Sequence, residues 1–84
     1  MTLETLAAMP HVTGVKQVTK AVGKGKAVCV FVANDADERV IRSLKELCIE
    51  SGVELVESAT MTELGKACSI EVGSAAAAAL QENR

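Results

Sequence analysis

The hydrophobic positions of this chain form segments of helical period and short continuous apolar runs, which together predict alternating helices and strands. Thr2–Met9 indicates a short first helix that ends at Pro10, because a residue before proline disfavours the helical conformation. His11–Thr13 fits a brief extended segment, and Gly14 breaks it. The chain is therefore expected to enter its next helix at that glycine.

The segment after Gly14 carries two stripes at helical spacing. The apolar stripe recurs at i, i+3 and i+7 and consists of Val15, Val18 and Val22. The basic stripe recurs at i, i+4 and i+8 and consists of Lys16, Lys20 and Lys24. Gly23 and Gly25 are expected to end the helix, since glycine relieves the steric cost of the left-handed C-terminal conformation. One helix thus buries a valine edge and presents a lysine edge.

A continuous apolar run and a second amphipathic segment follow. Ala27–Ala33 is rich in β-branched residues and fits a strand covered on both faces, which predicts a central position between helices. Asn34–Asp37 turns the chain, and Asp35 with Glu38 three residues later is expected to cap the next helix. That helix has an apolar stripe of Val40, Ile41, Leu44, Leu47 and Cys48, and Gly52 stops it.

The last third of the chain predicts another strand and a short helix, then becomes ambiguous. Val53–Glu57 indicates a second strand, and Thr60 with Glu63 matches a capping box that starts a helix running through Ala67. Ala75–Leu80 has high helix propensity, yet the strand–helix order asks for a further strand to complete the sheet. The overall alternation predicts an α/β fold, a three-layer α/β/α sandwich.

Length and charge add a candidate basic surface to this picture. The 84 residues leave room for one domain, residues 1–84. The formal net charge is −2, but no acidic residue lies between Glu4 and Asp35, where four lysines occur. These are Lys16, Lys20, Lys24 and Lys26. The acidic total therefore conceals a local basic patch, and local potential is what a polyanion meets.

The composition argues against membrane and secreted classes. No apolar run approaches the roughly 18 residues of a membrane span, and the first residues lack the basic segment of a signal peptide. The three cysteines, Cys29, Cys48 and Cys68, are odd in number and lack metal-binding spacing. We interpret them as reduced core residues of a cytoplasmic protein.

Catalytic and cofactor motifs are weak. The stretch from Gly23 to Lys26 lacks phosphate-loop spacing and follows a helix, so a helix terminus explains it better. His11, the only histidine, has no nucleophile partner implied by spacing. Asp35 and Asp37 are a possible divalent-ion pair, but helix capping and turn formation explain them better. We expect no enzyme activity, no metal site and no cofactor.

Two features remain as candidates for binding. The simplest interpretation of the lysine edge is a solvated helix face without a binding role. Its helix begins at a glycine, however, which leaves the first N–H groups open to an anion and so favours binding. The segment Leu64–Gly73 leaves a helix and carries Ile70 and Val72 into an expected loop, where they either anchor the loop inward or face a ligand.

Three segments together resemble one family. They are the stretch from Gly14 to Lys20, the apolar strand ending in Ala33–Asp37, and the stretch from Leu64 to Val72 followed by alanines. In this order and spacing they resemble the kink-turn-binding ribosomal proteins of the L-seven-Ae type, in particular the short bacterial, ribosomal-protein-like branch. The resemblance covers residues 9 to 80. It implies a four-stranded mixed sheet in which Ala75–Leu80 is the last strand.

The resemblance also implies an RNA site. In the family, the start of the helix equivalent to that after Gly14 enters the widened major groove of a kink-turn beside its sheared G·A pairs. The loop after the Leu-Gly-Lys helix covers an unpaired nucleotide. The residues carried over are Gly14, Lys16, Gln17, Lys20, Lys24, Ile70, Glu71 and Val72. Lysine and amide groups at the helix start suit guanine acceptor atoms.

Three positions depart from the family pattern. Archaeal members usually have Asn-Glu where this chain has Lys16-Gln17, and Ser69 replaces a common glycine.

The implied partners are a structured RNA and the ribosome, with a monomeric protein and no membrane. The alternative hypothesis is a protein-interaction or assembly module of the same fold, since fold does not fix function. A small hydrolase or nucleotide-binding domain is disfavoured by the missing phosphate loop.

Overall fold

The computed structural model describes residues 1–81, which form four helices and four strands in alternating order. The helices are α1 (Leu3–Ala8), α2 (Val15–Gly23), α3 (Glu38–Ser51) and α4 (Met61–Ala67). The strands are β1 (His11–Thr13), β2 (Ala27–Val32), β3 (Glu54–Val56) and β4 (Ala76–Leu80). Every predicted helix and strand is present, with ends within a few residues of those expected.

The four strands form one mixed sheet in the order β1-β4-β2-β3. β2 pairs in parallel with β3, whereas β4 pairs antiparallel with both β1 and β2. β2 is therefore an interior strand, as its continuous apolar run predicted. Its one exposed position is Val28, which lies where the register with β4 shifts between Ala27 and Cys29.

The alanine run forms a strand despite its helix propensity. Ala76 and Ala78 face one core cluster, and Ala77 and Ala79 face the other. All four are fully buried. Small side chains in this interior strand let helices pack closely on both faces, and burial outweighs a propensity difference of less than about 1 kcal/mol per residue.

Helices cover both faces of the sheet and complete the predicted three-layer sandwich. α2 and α3 bury Val18, Ile41 and Leu44 on one face. α1 and α4 bury Leu6 and Leu64 on the other, around Phe31. The cysteines are free and buried, as predicted. None of the helices formed by residues 1–81 is long and apolar enough to cross a membrane.

The cap at the start of α4 agrees with the prediction, whereas the cap at the start of α3 does not. Thr60 and Glu63 form the predicted capping box at the start of α4. The expected pairing of Asp35 with Glu38 at the start of α3 is wrong, because the N-cap is Asp37, which accepts from the Arg39 N–H at 2.9 Å. Asp35 instead accepts from the N–H of Met61 at 2.9 Å and ties the preceding turn to α4.

Candidate nucleic-acid interface

The start of α2 is built by Gly14. Its φ of 90° and ψ of 141° lie in a region that side-chain-bearing residues rarely adopt. Gly14 is the N-cap of α2, and no side-chain hydrogen bond caps the helix there. The N–H groups of the first turn, which have no partner within the helix, are thus left for solvent or for a ligand. The positive end of the helix dipole lies at the same place.

The side chains predicted for this helix all face solvent. Those of Lys16, Gln17, Lys20 and Lys24 are exposed. The first turn of α2 contains no acidic residue. Within residues 1–81, the ion pairs use other cations, namely the terminal amine, Arg39 and Lys45, and none uses a lysine of α2. The carboxylates of those ion pairs therefore do not neutralise the lysines of α2.

The loop after α4 is held by a tight C-terminal turn. Ser69 N–H donates to Lys66 O at 3.1 Å, and Ile70 N–H donates to Gly65 O at 3.0 Å, as in a Schellman motif. Ser69 occupies the left-handed position of this turn with a φ of 59°, where glycine is usual. The next residues differ in exposure: Ile70 is half-buried, whereas Glu71 is exposed and Val72 is 71% exposed.

Two glycines let this loop lie directly against α4. A Cβ atom on Gly65 would clash with the carbonyl oxygen of Val72, and one on Gly73 would lie 3.2 Å from the backbone of Met61. Both contacts are closer than side-chain-bearing residues normally permit. The exposed valine is therefore presented on a backbone that is packed against a helix.

Ser74 joins the loop to the start of α2. Its buried hydroxyl donates to Ala76 O at 2.6 Å and accepts from the N–H of Gly14 at 3.3 Å. The Gly14 N–H also donates to Ala76 O at 2.9 Å. The start of α2 and the end of the loop are thus in contact through Gly14 and Ser74. Lys24 lies at the opposite end of α2, where it is the C-cap.

Sequence reasoning missed the residues that build this arrangement, namely Gly65, Gly73 and Ser74. A glycine inside a helical pattern costs helix stability, which points to a packing reason for its presence, so Gly65 carried a usable signal. Ser74 carried none, because its partner Gly14 is 60 residues away in the sequence.

The residues considered for catalysis or metal binding have structural roles. His11 Nδ1 lies 2.8 Å from Met9 O and 3.1 Å from Leu6 O, so its ring contacts the backbone at the end of α1. Asp35 and Asp37 both accept backbone N–H groups. Within the described part of the chain, no three His, Cys, Asp or Glu side chains are grouped to hold a metal ion.

Comparison with protein families places this architecture among known proteins. Residues 5–84 match the model of the ribosomal protein L7Ae/L30e/S12e/Gadd45 family. An RNA-binding protein of Caldanaerobacter subterraneus subsp. tengcongensis is 48% identical over 68 residues, which are 81% of this chain and 83% of that protein. The large ribosomal subunit protein eL8 of Halobacterium salinarum is 48% identical over 66 residues, covering 77% of this chain but only 55% of that longer protein.

A solved structure supports the same relationship. The Giardia lamblia 15.5kD RNA-binding protein superposes with a TM-score of 0.85 at 28% sequence identity, over 96% of this chain and 69% of that one. The resemblance inferred from the three sequence segments, including its bacterial branch, is confirmed by these matches.

Proposed function

The chain belongs to the ribosomal protein L7Ae/L30e/S12e/Gadd45 family, and on this premise we propose that it binds RNA and recognises the kink-turn. In this proposal it stabilises a sharply bent duplex that contains sheared G·A pairs. The RNA is either part of the ribosome or a structured non-coding RNA. The relatives named as RNA-binding or ribosomal proteins support the choice of RNA as partner.

The observation that carries the proposal is the adjacency of two exposed surfaces of different chemistry. One is the uncapped first turn of α2 with Lys16 and Gln17, which offers ammonium, amide and backbone N–H donors. The other is the loop with the exposed Val72, which offers an apolar wall. A bent RNA presents guanine edges and phosphates beside an unstacked nucleotide, and single-stranded elements of this kind are what proteins read most readily in RNA.

Each residue has a distinct role in the proposed complex. Gly14 allows the RNA to approach the backbone closely because it has no side chain. Lys16 and Gln17 face the guanine edges as donors, and Lys20 pairs with a guanine edge or a phosphate. Lys24 adds a backbone contact. The loop residues Ile70, Glu71 and Val72 cover the unpaired nucleotide.

The mechanism is selection of the bent conformation. A kink-turn RNA that interconverts between extended and bent forms shifts towards the bent form by as much as the protein's affinity for the two forms differs. α2 and the loop contact the RNA at the same time only when the duplex is bent. The protein therefore stabilises the bent RNA by binding alone, with no covalent step.

A gel-shift assay tests the proposal. The protein is titrated into a kink-turn duplex and into a matched duplex in which the G·A pairs are replaced by Watson–Crick pairs. We expect a shift with the first RNA at concentrations at which the second stays free. Equal binding to both RNAs would exclude kink-turn recognition, and no binding to either, together with capture of a defined protein partner, would favour the assembly module.

A further inference from the structure

The turn between β2 and α3, residues 34–37, is bonded to the segment that starts α4. Asn34 N–H donates to Ala59 O at 2.8 Å, and Asp35 Oδ1 accepts from the N–H of Met61 at 2.9 Å. Asp35 and Met61 are 26 residues apart in the sequence. Their hydrogen bond therefore joins two separate connections of the fold.

Met61 is the residue against which the last part of the loop after α4 packs. Its carbonyl oxygen accepts from the Ser74 N–H at 3.1 Å. A Cβ atom on Gly73 would lie 3.2 Å from the carbonyl carbon, the carbonyl oxygen and the Cβ atom of Met61. The first residue of α4 thus holds the loop through its carbonyl group, and its N–H is in turn held by Asp35.

Asp35 completes the cap of α4 from a distant turn. The N–H groups of the first helical turn have no acceptor within the helix. The capping box pairs the N–H of Glu63 with the side chain of Thr60 and the N–H of Thr60 with the side chain of Glu63. It does not use the N–H of Met61, which donates to Asp35 instead. A carboxylate at this end of a helix is also favoured by the helix dipole.

A displacement at Met61 would be passed directly to the exposed valine of the loop. Only Gly73 separates Val72 from Ser74, whose N–H is bonded to Met61 O. Without the Asp35 carboxylate, the N–H of Met61 has only solvent as an acceptor, and the start of α4 loses its bond to the turn before α3. The position of Val72 therefore depends on a residue that lies outside both the loop and α4.

We propose that Asp35 is a positioning residue for RNA binding, which holds the loop after α4 through Met61 so that Val72 meets the RNA. This inference rests on the RNA binding proposed above and adds to it a residue that acts without touching RNA. Asp35 serves as a hydrogen-bond acceptor in this role, so its negative charge is not required for binding.

A double-mutant cycle tests the proposal. Asp35→Ala should weaken kink-turn binding by roughly threefold to tenfold, within the range of coupling between residues of one hydrogen-bond network. Most of this loss should disappear when Val72→Ala is already present, because the side chain that Asp35 positions has then been removed. When Lys20→Ala is present instead, the loss should remain complete, because Lys20 lies on α2 and not on the loop.

Two further variants separate positioning from a general loss of stability. Asp35→Asn keeps a side-chain oxygen that can accept from the N–H of Met61, so it should bind the kink-turn like the wild type. Cys48→Ala removes a buried thiol from the last turn of α3, in the core cluster on the opposite face of the sheet from α4. It should lower the urea midpoint of unfolding and leave RNA affinity unchanged.

Three binding results would overturn the proposal. The first is wild-type affinity of Asp35→Ala for the kink-turn. The second is a loss of equal size with and without Val72→Ala, which would mean that Asp35 does not act through the loop. The third is a loss in Asp35→Asn as large as that in Asp35→Ala, because the charge would then act on the RNA directly.

Amide NMR shifts of the RNA-free protein provide a measurement that is independent of RNA. The signals from Ser69 to Ser74 should move in Asp35→Ala and stay in place in Asp35→Asn, and unmoved signals in Asp35→Ala contradict the proposal. Equal binding of the wild type to kink-turn and control RNAs would refute kink-turn recognition alone, since the link from Asp35 to the loop is still measured by these shifts.

Discussion

The N–H of Gly14 and the hydroxyl of Ser74 meet at 3.3 Å and join the start of α2 to the loop that precedes β4. Ser74 also donates its N–H to Met61 O at 3.1 Å and its hydroxyl to Ala76 O at 2.6 Å. One buried serine thus contacts the beginnings of α4, β4 and α2. The relative position of the two proposed RNA-binding surfaces depends on this residue.

Replacement of Ser74 by alanine should weaken both folding and RNA binding. The Gly14 N–H keeps its bond to Ala76 O, so no backbone donor is left buried without an acceptor. We therefore expect a loss of about 0.5–1.5 kcal/mol in the free energy of unfolding, measured by urea titration. At temperatures where the variant is fully folded, its affinity for the kink-turn should still be lower than that of the wild type. Ser58→Ala, at an exposed position, is the control and should change neither quantity.

Replacement of Gly65 by alanine should displace the loop. The added methyl group would clash with Val72 O and would lie 3.2 Å from the Gly73 Cα, and both are backbone atoms that move only with the loop. Overpacking of this kind costs about 1–3 kcal/mol. We expect that loss in urea unfolding, together with altered amide NMR shifts from Ser69 to Ser74.

Gly23→Ala is the matched control for this glycine. It adds the same methyl group at the exposed end of α2, where nothing lies within 4 Å. Alanine is favoured over glycine in a helix by about 0.5–1 kcal/mol, so this variant should be as stable as the wild type or more stable. Equal stability losses for both variants would refute the role of the loop contact.

Ser69→Gly should stabilise the turn after α4. Ser69 has a φ of 59°, in the left-handed region where a Cβ atom costs roughly 1–2 kcal/mol. Part of this gain is offset by the greater freedom of glycine in the unfolded chain, which leaves an expected stabilisation of about 0.5–1 kcal/mol. The reverse change at an equivalent position, Gly52→Ala with a φ of 69°, should destabilise the protein by a similar amount. Thermal melts of the two variants should shift in opposite directions.

The sequence was sufficient for the elements whose determinants are local. The valine stripe of α2, the apolar run of β2 and the Thr60–Glu63 capping box each lie within one segment, and each was predicted correctly. The cap of α3 was misassigned because Asp35 and Asp37 are equally good N-cap residues. Only the contact of Asp35 with Met61, 26 residues away, distinguishes them.

The alanine strand and the geometry of the site needed more than local pattern. Ala75–Leu80 has the composition of a helix, and only the family resemblance predicted that it is the last strand. Burial of Ala76–Ala79 on both faces of the sheet explains that strand. Gly65 and Ser74 act through backbone approaches and hydrogen bonds to residues distant in the sequence. The candidate RNA-binding side chains were therefore accessible to sequence reasoning, but the framework that aligns them was not.

The thiol of Cys29 should make the protein less stable in alkali. Burial, reinforced by the Glu54 carboxylate on the neighbouring strand, raises the pKa of this thiol to about 11 from its ordinary value of 9.0. Between these two pH values the folded state holds a proton that the unfolded state has lost. The contribution of Cys29 to the free energy of unfolding therefore falls as pH rises through this window, by about 1.4 kcal/mol per pH unit at most. Burial also raises the pKa values of the Cys48 and Cys68 thiols, which act in the same direction. Urea midpoints measured from pH 8 to 11 should show the decline, and thiolate absorbance should appear at higher pH in the folded protein than in urea.

Lys20→Ala distinguishes base recognition from phosphate contact at the centre of the proposed interface. The side chain is exposed on the second turn of α2, so its loss should not affect folding. If Lys20 contacts a guanine edge, binding to the kink-turn should weaken by roughly 1–3 kcal/mol and discrimination against the control duplex should shrink. If it contacts only phosphate, both RNAs should lose affinity alike and the salt slope should fall by about 1. Affinity titrations at three salt concentrations separate these results, with Arg42→Ala as the control for charge, and an unchanged affinity would place the RNA on another face of the protein.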